Sequence, residues 1–160
     1  MRDVKIIAVG THLPGPQISN KKLSKILSVS DEWIDFFIGT KSRHFCVDIE
    51  TGEQYFQLSD ICYEAAKNAL QKSIIKSSTI DALVLGTATP DTLMPATVNV
   101  IADKLGLNNV ATYQLQSGCA GAIQALDFGT QLIKSGKFKN VLVIGGDVCN
   151  KFLNLKQDLS

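Results

Sequence analysis

Among the four cysteines of this chain, one sits where chemistry could be done. In TYQLQSGCAGAIQAL, residues 112–126, Cys119 follows Gly118 and precedes Gly121, at a change of sequence period. Before it, Tyr113 and Leu115 alternate with Gln114 and Gln116, as on a strand with two unlike faces. After it, Ile123, Leu126 and Ile133 recur at helical spacing, opposite a polar stripe of Gln124, Asp127, Gln131 and Lys134. A thiol at a helix start faces the positive end of the macrodipole and several unpaired N–H groups, and both favour the nucleophilic thiolate. The small neighbours leave space for a substrate carbonyl, and the cysteine's own N–H is a candidate oxyanion donor. The same residues suit a plainer role, in which Cys119 is a small hydrophobe at a crowded helix start. Spacing alone does not separate the two.

The elements that must position this thiol can be followed along the chain. Val4 to Val9 is a strand candidate, followed by the loop GTHLPGP. Ser19 or Asn20 can cap a short helix with Leu23, Ile26 and Leu27 on one face. Ser30 caps a second helix, SDEWIDFF, with acids in its first turn and Gly39 past its end. KSRHFCV reads as extended, DIETGEQ as a turn, and Ser59 as the cap of a longer helix. The apolar run IDALVLGTATP suits a strand buried on both faces. Pro95 then opens a helix with Val98, Ile101, Ala102 and Leu105 inward and Gly106 at its end. The strand Ala111 to Gln116, the Cys119 helix and the strand NVLVIGGD complete the series. Strands alternating with helices predict an α/β layer of mostly parallel strands.

Composition narrows the function. A 45% hydrophobic and 19% charged chain of 160 residues is that of a soluble globular protein with room for one domain and its core. A formal charge of +1 gives no basic footprint for nucleic acid. The N-terminus is too short in apolar residues for a signal peptide or a membrane span, so a cytoplasmic location is expected. No C-x-x-C occurs, and His12 and His44 are not spaced with cysteines as zinc ligands, so no metal site is expected. Cys46, Cys62 and Cys149 read as free thiols whose role is burial. After Gly145 the chain runs to a polar stop, so either a sheet edge stays exposed, which is a liability, or further sequence or another chain is expected to complete it.

Several segments, in order and at matching spacing, resemble β-ketoacyl-acyl-carrier-protein synthase III, of the thiolase-like condensing enzymes. They are GTHLPGPQISNKKL, SDEWI with GTKSRH after it, TATPDTLMPATVNVIADKLG, GCAGAIQAL and IKSGKFKNVLVIGGDV. The resemblance runs over nearly all 160 residues and implies the N-terminal half of a thiolase-like fold, so residues 1–160 are expected to form one incomplete domain. It implies that Cys119 attacks an acyl thioester, usually acyl-coenzyme A, to form an acyl-enzyme. Malonyl on acyl carrier protein then decarboxylates, and its carbanion takes the acyl group to give a β-ketoacyl product for fatty acid or polyketide-type biosynthesis. No permanently bound cofactor is implied. The expected partners are the thioester substrates, acyl carrier protein, and a second copy or a complementary C-terminal chain, with neither nucleic acid nor a membrane.

Three departures qualify what the resemblance implies. The family's catalytic histidine and asparagine lie in a C-terminal half, and His12 and His44 match neither. Trp33 matches the family's tryptophan that stacks on the coenzyme A adenine, whereas the arginine that clamps that adenine is Phe37 here. A second such arginine corresponds to Asp158. Met94 stands where the family often places a residue that reaches across a dimer interface into the partner's acyl pocket. Two rival expectations therefore stand beside the condensing enzyme: an acyltransferase that does not condense, and a non-catalytic or partial subunit that pairs with another chain.

Overall fold

A computed structural model describes residues 3–27 and 29–152. The described residues divide into two compact units, Leu13–Gln57 with residues 148–152, and Leu58–Asp147 with residues 3–12.

The first unit is built from β1 (Ile18–Ser19), α1 (Asn20–Leu23), α2 (Asp31–Phe37) and β2 (Ser42–Arg43), with β1 and β2 paired antiparallel. Its caps are those expected from the sequence. Ser19 Oγ accepts from Lys22 N–H, and Ser30 Oγ accepts from Trp33 N–H at 3.1 Å. Gly39 ends α2 at φ 75°, a conformation open to glycine at little cost. Ile18, Leu23, Ile34, Phe45, Val47 and Ile49 form the core, with Ile26, Leu27 and Val29 packed against it. The DIETGEQ turn closes on Asp48, whose carboxylate accepts from the N–H groups of Glu50 and Thr51.

The second unit carries α3 (Leu58–Lys72), β3 (Ala82–Gly86), α4 (Thr97–Lys104), β4 (Ala111–Leu115), α5 (Gly121–Lys134) and β5 (Val141–Gly145). The three strands run parallel in the order β4-β3-β5. β3, the apolar run ALVLG, is buried at every position, as a central strand covered on both faces must be. α5 packs on β5 and β3, and α4 on β4 and α3.

Three sequence expectations fail here. Val4–Val9 belongs to no strand: a β-favouring run becomes a strand only where a ladder partner meets it, and none does among the described residues. That segment instead lines a cavity of about 460 Å³ with α3, α5 and β5, and leaves Ile6, Ile7 and Val9 more than half exposed. Pro95 precedes α4 rather than opening it, since the helix starts at Thr97. Ser59 does not cap α3, which already begins at Leu58. Its cap is tertiary: Asp91 Oδ1 accepts from Leu58 N–H at 2.7 Å and Oδ2 from Ser59 N–H at 2.8 Å. Local pattern cannot reveal a cap supplied from 32 residues away. Asp91→Ala is expected to lower stability by about 1–2 kcal/mol, the usual cost of losing a cap, with Asp91→Asn intermediate because one amide oxygen replaces two acceptors. Urea unfolding of the three proteins checks the order.

α5 buries its small residues rather than its large apolar ones. Its buried stripe is Gly121, Ala125 and Gly129, while Ile123 is 72% exposed and Leu126 41%. The helix lies so close to the sheet that only small residues fit between. A Cβ on Gly86 would stand 2.2 Å from the Gly121 carbonyl oxygen, and one on Gly145 2.4 Å from the Ala122 methyl. The larger apolar residues Ile123, Leu126 and Ile133 instead line the cavity.

Candidate active site

Parallel pairing in register brings Gly86, Leu115 and Gly145 to one edge of the sheet. The segments leaving these carboxyl ends are where parallel α/β sheets usually place their ligands. Two backbone hydrogen bonds fasten the edge, Thr87 N–H to Leu115 C=O at 3.0 Å and Gly146 N–H to Gly86 C=O at 3.2 Å.

Cys119 leaves the end of β4 in a single 3₁₀ turn, Gly118–Ala120, and is exposed. Gly118 enters that turn at φ 57°, the left-handed region that a residue with a side chain seldom adopts. Ala120 precedes α5 and offers no side-chain oxygen to its first-turn N–H groups. These donors therefore lack the local acceptor that serine supplies to α1 and α2. The thiol thus stands one turn ahead of α5, open to solvent, beside N–H groups not taken up by a capping side chain. Burial as a small hydrophobe, the plainer role, does not describe it.

The other thiols differ from one another. Cys46 and Cys62 are buried as expected, but Cys149 is exposed, in a 3₁₀ turn after β5. Burial pushes the Cys62 thiol up to about 12, helped by the negative charges of Asp91 and Asp147. Cys62 therefore holds its proton at neutral pH and has no nucleophilic form there. Iodoacetamide at pH 7.5 is expected to label Cys119 and Cys149 and to spare Cys46 and Cys62, as peptide mapping would read.

Met94 lies in the segment between β3 and α4, with Leu93 beside it, and the two are 90% and 91% exposed. Cys119 and Met94 thus follow the carboxyl ends of neighbouring strands within one unit. Trp33 belongs to the other unit, on α2. It is 45% exposed, with Phe37 at a ring-centroid distance of 5.0 Å and a 35° tilt, and Phe36 edge-on to Phe37. Phe37 thus enlarges the aromatic surface at the position that the resemblance gives to an arginine. Asp158 lies outside the described residues. The His44 ring nitrogen Nδ1 sits 2.9 Å from the Pro14 carbonyl oxygen, a structural tie. No group of three or more histidine, cysteine or acidic residues able to hold a metal occurs among the described residues. None of the described helices is long and apolar enough to cross a membrane.

Sequence reasoning missed the polar residues that hold the strand ends. Asp147 accepts from Thr87, Ala88 and Thr89, and Asp91 N–H donates to Thr97 Oγ1 at 2.8 Å. The one signal available was a cluster of threonines and an aspartate, TATPDT, directly after a buried strand.

A family model described as 3-oxoacyl-[acyl-carrier-protein (ACP)] synthase III matches residues 113–160, which include Cys119. A β-ketoacyl-[acyl-carrier-protein] synthase III of Clostridium perfringens is 36% identical over 96% of this chain and 45% of its own length. Among solved structures, a tetronic acid condensing enzyme is 42% identical, with a TM-score of 0.88 over 96% of this chain and 48% of that one. The 3-oxoacyl-[acyl-carrier-protein] synthase III of Aquifex aeolicus is 33% identical, with a TM-score of 0.86 over 96% and 47%. The fold is thiolase-like, and the likeness to synthase III extends over nearly the whole chain. The chain spans about half the length of the relatives it matches.

Proposed function

We propose that this chain is the acyl-accepting half of a condensing acyltransferase of the synthase III type, with Cys119 as its nucleophile. The observation that carries the reading is the exposed thiol in a glycine-entered turn ahead of α5, at the carboxyl edge of a parallel sheet. In the first step the Cys119 thiolate attacks the carbonyl carbon of an acyl thioester. A new S–C bond forms, the carrier thiolate leaves, and it takes up the proton that Cys119 gave up. A thioester suits this exchange, because attacking and leaving groups are both thiols and a covalent intermediate separates the two substrates in time. In the second step a malonyl thioester loses carbon dioxide, its carbanion attacks the acyl carbon, and Cys119 leaves as thiolate. Incubation with an acyl thioester should add one acyl mass to the chain, and Cys119→Ser should abolish that adduct at neutral pH. An adduct that survives the substitution, or that maps to Cys149, refutes the assignment.

On this reading Met94, which is exposed on its loop, shapes an acyl pocket shared with a second copy, and its unbranched, flexible side chain leaves a roomier pocket than an aromatic residue. Trp33 offers a stacking face for adenine when the donor is a coenzyme A thioester. The reading needs no permanently bound cofactor and sets the reaction in the cytoplasm, with acyl carrier protein as the second substrate's carrier.

A second reading has its own support. Phe37 removes the cation that would clamp adenine, and the tetronic acid condensing enzyme is more similar to this chain than the synthases quoted above. On this reading the donor arrives on a carrier protein, and the product belongs to a secondary metabolite. Phe37→Arg separates the two. If coenzyme A donors are native, the added guanidinium supplies charge-assisted contacts to adenine and phosphates, and KM for them should fall about tenfold. If donors come on a carrier protein, KM for coenzyme A thioesters should stay unchanged, and Trp33→Ala should be silent as well.

A further inference from the structure

The carboxylate that ties the strand ends together is Asp147, and its place bears on Cys119. The residue is exposed at the end of β5, yet its Oδ1 is turned inward to three donors from the segment after β3. Ala88 N–H donates at 2.7 Å, Thr87 Oγ1 at 3.0 Å and Thr89 Oγ1 at 3.2 Å. Thr87 is fully buried and Thr89 nearly so, and Thr89 N–H donates in turn to Thr87 Oγ1 at 3.0 Å.

Thr87 is the point at which the other elements meet. Its N–H holds the Leu115 carbonyl, the last residue of β4 before the Cys119 turn. Gly86 and Thr87 also form the surface against which α5 begins: a Cβ on Gly121 would stand 3.3 Å from both the Gly86 carbonyl carbon and Thr87 N. The Cys119 turn is thus fixed at both ends by the same two residues, before it through Leu115 and after it through Gly121. Of these two residues Thr87 is bonded to Asp147, which also accepts from the next two residues, Ala88 and Thr89.

We propose that Asp147 is a positioning residue for the Cys119 turn, acting through Thr87. It touches no reacting atom. Its three accepted hydrogen bonds set the backbone from which the turn is hung, and an acyl transfer is sensitive to that setting because attack and oxyanion stabilisation both depend on sub-ångström placement. The inference rests on the nucleophilic role of Cys119 proposed above.

The test compares the full chain with Asp147→Ala and Asp147→Asn. Asparagine can present its amide oxygen to the same three donors, so it keeps the geometry and removes only the charge. Acylation of Cys119 by an acyl thioester, followed by mass spectrometry, should slow about tenfold or more in Asp147→Ala and return to within about threefold of wild type in Asp147→Asn. Iodoacetamide alkylation of Cys119, which needs no oxyanion geometry, should change less than about twofold in either. Amide hydrogen exchange at residues 117–121 should quicken in Asp147→Ala while exchange in α3 is unchanged. Should Asp147→Ala not fold, Thr87→Val removes the buried link isosterically and should reproduce the slowed acylation. Acylation and exchange that match wild type in a folded Asp147→Ala overturn the proposal, as does an asparagine variant as slow as alanine. Absence of any Cys119 adduct in the wild-type chain overturns the nucleophile reading instead, and the exchange result still decides whether Asp147 holds the turn.

Discussion

The 160 residues expressed by themselves are expected to release no carbon dioxide from a malonyl thioester and to form no β-ketoacyl product, even where Cys119 accepts an acyl group. Losing carbon dioxide from malonate leaves a carbanion and a developing enolate oxygen, and both need donors fixed where the charge appears. Removing one such donor from an enzyme commonly costs a factor of about 10²–10³ in rate. The resemblance assigns that work to a histidine and an asparagine in the other half of these proteins. Here His44 is tied to the carbonyls of Pro14 and Gly15, and no residue of the Cys119 turn carries an imidazole or an amide. An assay of carbon dioxide release, run beside acyl-adduct mass spectrometry, checks the separation of the two steps. Condensation by these residues alone would overturn the assignment of the decarboxylating groups to the other half.

Gly86→Ala is expected to be among the most damaging single methyl additions in the sheet unit. The new Cβ would lie 2.2 Å from the Gly121 carbonyl oxygen and 2.5 Å from its carbonyl carbon, both backbone atoms that cannot rotate aside. β3 is buried along its whole length and pinned by parallel ladders on both sides, so the strain cannot be relieved by moving the strand. Overpacking typically costs about 1–3 kcal/mol, and contact with fixed backbone on this scale puts Gly86→Ala at the upper end. Part of that cost should appear at the Cys119 turn, because the clash pushes on the residue that begins α5. Thermal unfolding should show the loss, and Cys119 acylation should fall further than stability alone accounts for. By contrast Gly39→Ala, where no atom lies within 4 Å, should cost only the strain of its φ of 75°. Comparable melting temperatures for the two variants would mean that α5 does not lie as close to β3 as the geometry states.

The alternation of strands and helices, the caps at Ser19 and Ser30, the buried run Ala82–Gly86 and the strand-to-helix setting of Cys119 were legible in the sequence. Each depends on the physics of a short stretch: a serine oxygen reaching a backbone N–H three residues on, a continuous apolar run suited to two covered faces, a period that changes from two to about 3.6. The decisions left to tertiary structure were those that depend on what lies opposite. Val4–Val9 has the residues of a strand but gains no ladder, and hydrogen bonds between strands are not a property of one strand. The helix after Cys119 has an apolar stripe of Ile123, Leu126 and Ile133, but the face it buries is that of Gly121, Ala125 and Gly129. Close approach of two backbones selects for missing side chains, and hydrophobic periodicity, which counts large residues, cannot register that preference. The cap of α3 by Asp91 and the hold of Asp147 on Thr87 join residues 32 and 60 apart in sequence. The sequence by itself determined which residue types stand at each bend of the chain; only folding decided which of them meet, because a carboxylate acquires a role from the donors brought to it.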